Sequence, residues 1–285
     1  MVKNKKVSGY GQGGVDVVMS VDQVAKEAAA ISAAAPKSKE LEKLSKNEPL
    51  LSIKNLKAGY GKMEILHDFN LFISKGQSLC LIGPNGAGKS TVLHSIFGFT
   101  NIFSGNITIG GKDITNLTPN QKLSNAGIAY ILQDKSVFPQ MTVEENLLMG
   151  GFLKNKPSEA KEATEMVFDK YERLAARRNK PAGVLSGGER RLLEISRALV
   201  MQPQILLVDE PSIGLEPRFI DMVFGILDDL QKKDGKTIIM VEQNAKKGLA
   251  FADIGYVLVS GETAIAETGD KVLSNPDVGR LFLGG

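Results

Sequence analysis

Two hydrophobic patterns divide the chain into layers. From Leu50, short segments mix apolar and polar positions. Leu51, Ile53 and Leu56 form one, Ile65-Leu66 and Phe72-Ile73 two more, with turn signals at Gly59–Lys62 and Lys75-Gly76. Half-exposed strands separated by such turns predict an antiparallel β-layer, which Asn106–Ile109 continues before Gly110-Gly111. Other segments are apolar throughout: Ser78–Ile82, Gly127–Leu132, Ile205–Val208 and Thr237–Val241. Runs of this kind suit strands covered on both faces. Between the last two, Phe219, Met222, Val223, Ile226, Leu227 and Leu230 recur at helical spacing. Strand–helix–strand order predicts a mainly parallel sheet with helices on both faces, an α/β chain. Thr142-Val143-Glu144-Glu145 is a capping box opening a helix through Leu148, and 158–177 predict one charged amphipathic helix ending in Arg177-Arg178.

The strand Ser78–Ile82 runs directly into Gly83-Pro84-Asn85-Gly86-Ala87-Gly88-Lys89-Ser90-Thr91, and Val92–Phe97 follow with helical spacing. Strand, glycine loop and helix N-terminus make an anion site, because loop N–H groups converge and the helix dipole adds about half a positive charge. A Cβ would keep phosphate oxygens from the backbone, hence the glycines. Lys89 reaches β- and γ-phosphates in this pattern, and the Ser90 hydroxyl ligates Mg²⁺. The motif predicts a P-loop NTPase core that binds a nucleoside triphosphate with Mg²⁺. Asp209 and Glu210 end the apolar run at 205–208, and ligands gather at the carboxyl ends of parallel strands. Asp209 suits the Mg²⁺ shell; Glu210 suits a general base that polarises water for in-line attack on the γ-phosphorus. Ser186, Gly187 and Gly188 open a further helical pattern through Leu192, Leu193, Ile195, Ala198 and Leu199, a second phosphate-binding helix start. One nucleotide does not need two from one subunit, so the second is expected to serve a nucleotide held by a partner.

Residues 1–48 read differently: glycines at 9, 11, 13 and 14, an alanine-rich stretch, then Pro36 and mixed Lys/Glu. Gly9–Gly14 satisfies G-x-G-x-x-G, but no strand precedes it, which argues against a dinucleotide site. Val21–Ala35 is a helix candidate capped by Ser20, and the extension is expected to be mobile around it. The remaining 49–285 form the catalytic unit. With 42% hydrophobic and 24% charged residues the composition is that of an ordinary globular chain, and a net charge of +3 without basic blocks excludes a nucleic-acid partner. The single Cys80 lies in a buried run, so no disulfide framework or metal-ligand set is expected. No apolar run approaches the ~20 residues of a membrane span. A cytoplasmic protein is expected.

From about Leu50 the chain resembles the ATP-binding subunits of ABC transporters. The residues that carry the resemblance are the Walker A loop at 83–91, a Q-loop glutamine at Gln133, Leu185-Ser186-Gly187-Gly188-Glu189 as the signature, Walker B at 205–210 and a D-loop equivalent at Ser212–Pro217. The resemblance implies an antiparallel β-layer and a helical subdomain at about 134–184 beside the core. It implies a head-to-tail dimer, with itself or a related subunit, that sandwiches two ATP molecules. It further implies docking on integral membrane permease subunits, peripherally at the inner face of the cell membrane, and indirect dependence on a solute-binding protein. Tyr60 matches the aromatic that stacks on adenine, and Gln133 the residue linking the Mg²⁺ site to the helical subdomain. Two departures stand out. Glu216 stands where the family usually has Asp, and Gln243, after Val241-Glu242, where it usually has a switch histidine; His67 and His94 lie upstream and read as surface or core residues. Val241–Ala245, Phe138-Pro139 with Met141–Gly150, and the terminal Leu283-Gly284-Gly285 are similar to LivF-type subunits of branched-chain amino-acid importers; importers of amides and urea share much of this pattern. A lipopolysaccharide-transport ATPase has a similar Gly187–Arg191 segment, but Gln243 weighs against it. Soluble ABC proteins of translation or DNA repair carry two nucleotide domains or a coiled-coil insertion, and a P-loop kinase has no use for the signature.

Overall fold

In a computed structural model that describes residues 36–133 and 136–282, the two hydrophobic patterns become two sheets. The glycine cluster at 9–14, the stretch Val21–Ala35 and Leu283-Gly284-Gly285 lie outside the described residues. After a short helix α1 (Ser38–Glu42) come β1 (Pro49–Tyr60), β2 (Met63–Ser74), β3 (Ser78–Ile82), α2 (Lys89–Phe97), β4 (Asn101–Ile109), β5 (Lys112–Asp113), α3 (Pro119–Ser124) and β6 (Ile128–Ile131). Helices α4 (Val143–Gly150), α5 (Pro157–Lys170), α6 (Glu172–Ala175) and α7 (Gly187–Leu199) precede β7 (Ile205–Asp209), α8 (Pro217–Lys232), β8 (Thr237–Val241) and α9 (Ala245–Phe251). The chain ends in β9 (Ile254–Val259), β10 (Glu262–Thr268), α10 (Gly269–Leu273) and α11 (Pro276–Phe282).

The antiparallel sheet has the order β2-β1-β4-β5, and the second sheet β10-β9-β3-β8-β7-β6, parallel except for β10. Every residue of β3, β7, β8 and β9 is buried, which explains their continuous apolar runs. Alternate side chains of these strands face different cores. Leu79, Leu81, Leu207 and Ile239 join the cluster beneath the antiparallel sheet and α2, whereas Cys80, Ile82, Leu206, Val208 and Met240 join the cluster under α8 and α9. Cys80 is a free, buried thiol whose proton burial holds firmly. A third cluster gathers Val143, Leu147, Val167, Phe168 and Leu174 with Leu192, Leu193 and Val200, so α7 packs into the helical lobe while its Ile195 reaches the second core.

Three expectations need correction. Ile65-Leu66 and Phe72-Ile73 belong to one strand; the break between them is a pairing irregularity where Asp68 takes φ 47°, opposite register shifts in β1. The helix expected over 158–177 stops at Lys170, because Tyr171 leaves helical backbone (φ −126°, ψ 79°) and α6 turns back to bury Leu174. Arg178 is then not a helix-terminal charge but lies between Glu144 and Glu165, 2.5 Å from an oxygen of each. Finally, residues 38–46, expected to belong to the extension, pack onto the core. Leu41 is 2% exposed inside the first core, Gln77 Nε2 donates to Leu44 O at 3.2 Å, and Lys46 pairs with Asp253 at 2.7 Å.

Candidate nucleotide site

The loop between β3 and α2 is built around backbone that side chains would obstruct. At Gly83 (φ 146°) a Cβ would lie 2.2 Å from Leu258 O, and at Gly88 (φ 96°), the residue before the first turn of α2, it would meet Leu66 at 3.0 Å. Gly261 N donates to Ala87 O at 3.0 Å, tying the loop to the β9–β10 turn. Lys89 begins α2, and its Nζ arches back to donate to Gly83 O (3.0 Å) and Pro84 O (3.1 Å). Burial lowers the proton affinity of this ammonium, and the nearby Glu210 and Asp209 carboxylates oppose that shift. The result is a cation folded back over its own loop.

Pairing of β7 with β8, with Asp209 opposite Val241, brings the two strand ends side by side. Asp209 is 7% exposed, and both its oxygens are held: Oδ1 accepts from Ser90 Oγ at 3.3 Å, Oδ2 from the Tyr130 hydroxyl at 2.8 Å. Glu210 takes φ 43°, with its N–H donating to Val241 O at 2.9 Å. That turn aims its carboxylate away from the sheet, where Gln133 Nε2 donates to Oε2 at 2.7 Å. Burial and then Asp209 raise the Glu210 pKa, while Lys89 opposes them. A base of raised proton affinity beside a buried carboxylate and a lysine is arranged for proton transfer near phosphate. Gln243 is exposed just past β8. The residue before it, Glu242, is 1% exposed and accepts from Ser212 Oγ (2.7 Å) and Asn244 N (2.8 Å), joining the Gln243 segment to the loop after Glu210.

Tyr60 closes the β1–β2 hairpin over α2, its hydroxyl 2.5 Å from His94 Nδ1 and its ring 43% exposed. His94, expected as an ordinary surface or core residue, is half-buried in a ring cluster with Phe99 and Tyr130. Its burial lowers the pKa and Asp209 opposes the shift. The environment thus favours the neutral ring, which shares a hydrogen bond with the Tyr60 hydroxyl.

Lys89, Ser90, Gln133, Asp209 and Glu210 thus converge on one edge of the sheet, with Tyr60 beyond α2. Ser186, Gly187 and Gly188 do not join them: among the described residues no hydrogen bond connects them to the phosphate loop. Ser186 caps α7 instead, its Oγ accepting from Glu189 N at 3.3 Å and its N–H donating to Glu189 Oε2 at 2.9 Å. Gly188 is packed so closely that a Cβ would lie 2.3 Å from the Phe219 ring, while Ser186 and Gly187 remain exposed. Sequence reasoning passed over Tyr130, His94 and Glu242. Tyr130 carried a signal, a hydroxyl near the carboxyl end of a buried run; His94 and Glu242 have none without the fold.

Comparison with known proteins agrees with this geometry. Residues 66–213 match the family model described as ABC transporter. The chain is 40% identical over 236 residues to the high-affinity branched-chain amino acid transport ATP-binding protein BraG of Pseudomonas aeruginosa, covering 83% of this chain and 100% of that one. It is 37% identical to a probable branched-chain amino acid transport ATP-binding protein LivF of Archaeoglobus fulgidus, covering 82% of this chain and 99% of the relative. A crystal structure of the ADP conformation of an ATP-binding cassette of an ABC transporter superimposes with a TM-score of 0.74 at 30% identity, covering 84% of this chain and 100% of that one. The chain belongs to the ABC transporter family, as an ATP-binding subunit whose ATP hydrolysis is coupled to transport through membrane permease subunits.

Proposed function

We propose that this subunit drives the import of branched-chain amino acids, acting as one half of a head-to-tail ATP sandwich attached to the inner face of the cell membrane. The names of the relatives at 37–40% identity support the solute class, and a solute-binding protein would deliver it. Among the described residues no helix is long and apolar enough to cross a membrane, which is in keeping with peripheral attachment to separate permease subunits. The observation that carries the dimer is the open start of α7. Among the described residues its capping serine and first glycine are exposed and make no hydrogen bond to the phosphate loop of their own chain, as a site for a partner's nucleotide requires.

Within each site the loop N–H groups hold the phosphates and Tyr60 stacks on adenine. Lys89 exchanges its two carbonyl partners for β- and γ-oxygens. The Ser90 hydroxyl and the Asp209 carboxylate, 3.3 Å apart, are hard oxygen donors of the kind Mg²⁺ takes, and Gln133 lies next to them on Glu210. Mg²⁺ held there, completed by phosphate oxygens and water, would neutralise charge on the phosphates during transfer. Glu210 draws a proton from the attacking water, and Gln243 offers its amide to a γ-oxygen.

Glu210→Gln tests the assembly. It should keep Mg-ATP while losing roughly 10²–10⁴-fold in turnover, the scale of a general base, and should accumulate as a dimer in light scattering. A purely monomeric variant at saturating Mg-ATP would refute a self-sandwich and require a related second subunit. Uptake of labelled leucine by vesicles bearing the subunit with its co-purified membrane partners tests the solute; ATP-driven uptake of urea or short amides in its place would reassign it.

A further inference from the structure

Among the described residues one ion pair is almost wholly buried: Arg191 and Glu194, 2.7 Å apart with side chains 5% and 6% exposed, one helical turn from each other on α7. A buried pair is weak support for stability, because desolvation of both charges offsets most of their attraction. Its second contact shows what the geometry provides. The same Arg191 Nη1 that meets Glu194 also donates to Leu132 O at 2.8 Å. Leu132 follows the last residue of β6 and precedes Gln133, so its carbonyl belongs to chain leaving the sheet. Arg191 Nε and Nη2 find no partner among the described residues, so the guanidinium is placed for these two bonds and not for full satisfaction.

We infer that Arg191, braced by Glu194, is a positioning residue that ties Gln133 to the start of α7. The tie runs from the Ser186 cap through five residues of helix to Arg191, across to Leu132 O, and through the next residue to the Gln133–Glu210 bond. The surface offered to a partner's nucleotide and the glutamine of the subunit's own site then move as one piece. Loading one site biases the other. This inference rests on the role proposed for Gln133 at the nucleotide.

The test uses the full-length chain with Arg191→Met and Glu194→Leu combined, so that neither charge is left buried alone. A hydrogen bond from a charged donor is worth enough to alter a rate about ten- to a hundredfold. The double variant should melt near the parent's temperature, keep its KM for ATP, and lose about tenfold or more in kcat. In a Gln133→Ala background the same double change should have no further effect. A stable double variant with parental kcat, or an equal loss in the Gln133→Ala background, overturns the tie. If Gln133→Ala alone hydrolyses at the parental rate, the role of Gln133 itself falls, which separates the two failures. Should the double variant not fold, Arg191→Lys, which keeps a charge beside Glu194 but on a shorter side chain that falls short of Leu132 O, should show the same background-dependent loss; loss independent of Gln133 there overturns the inference equally.

Discussion

The Tyr60 ring offers a quantitative probe of how this site holds the base of its nucleotide. Tyr60 is 43% exposed, and among the described residues its ring meets one other, His94, 6.1 Å between centroids at 82°. An aromatic face left open at a site edge is what a purine requires, and base–aromatic stacking is worth about 1–3 kcal/mol. Tyr60→Ala should therefore weaken ATP binding roughly 5- to 150-fold at 1.36 kcal/mol per tenfold. Tyr60→Phe keeps the face and removes the hydroxyl that shares a hydrogen bond with His94 Nδ1 at 2.5 Å. A partly exposed neutral hydrogen bond is worth about 0.5–1.5 kcal/mol, so the phenylalanine should cost about 2- to 12-fold through looser placement of the ring. His94→Phe should act like Tyr60→Phe, and the two combined should cost little more than either alone, since they remove the same bond. Calorimetric titration with Mg-ATP and, in parallel, with magnesium tripolyphosphate separates base from phosphate: the triphosphate has no base, so its affinity should not change in any of these variants. Unaltered ATP affinity in Tyr60→Ala, or an equal loss for tripolyphosphate, would sink the stacking argument.

Other outcomes follow from the same structure. Gln243→Ala should slow turnover with ATP affinity nearly intact, whereas Gln243→His should remain active and gain a pH dependence between roughly 5.5 and 7.5 in steady-state ATPase assays, because only the imidazole changes charge there. Leu41→Ala should cost about 2–4 kcal/mol in urea unfolding, with a chain begun at Asn47 destabilised at least as much, because Leu41 is 2% exposed in the first core; parental stability of either would return residues 36–46 to the extension. Lys122 is fully buried with Nζ donating to Ser95 O at 3.2 Å, and burial lowers its pKa to about 8 against a weaker pull from Asp113. The folded state then binds fewer protons than the unfolded between pH 8 and roughly 10.5, so stability should rise with pH over that window and the rise should vanish in Lys122→Met.

How much of this the sequence disclosed depends on how local each cause was. The phosphate loop, the all-apolar strands β3, β7 and β8, the capping box at Thr142 and the helix start at Ser186 are written within a dozen residues each, and they stand where the residues predicted. β9 is as apolar as these strands but carries Gly255, which reads as a breaker; its reason lies elsewhere in the chain, since a Cβ there would come 2.7 Å from Leu249 and 3.0 Å from Val272. Asp68 and Tyr171 mislead in the same way, because a bulge and a helix break are set by the partner strand and by the pocket awaiting Leu174. Local rules fail where tertiary packing decides, and the acid–base partners of the site lie on that side of the line. Tyr130 meets Asp209 across 79 residues and Gln133 meets Glu210 across 77; Gln133 was named through the resemblance, but neither hydrogen bond could be read from the residues alone.

The strand order gives those long-range bonds a common purpose. β8 lies between β3 and β7, so the loop after β3 and the acidic turn after β7 are not adjacent in the sheet, and no ladder hydrogen bond fixes their separation. What joins them is the Ser90–Asp209 contact at 3.3 Å, longer than the 2.8 Å that binds Asp209 to Tyr130. Asp209 is therefore anchored to its own side of the sheet by β6, through Tyr130, and only lightly to the phosphate loop. A carboxylate held from behind in this way keeps its orientation when the Ser90 hydroxyl turns from it toward a cation, because the stronger of its two hydrogen bonds need not break.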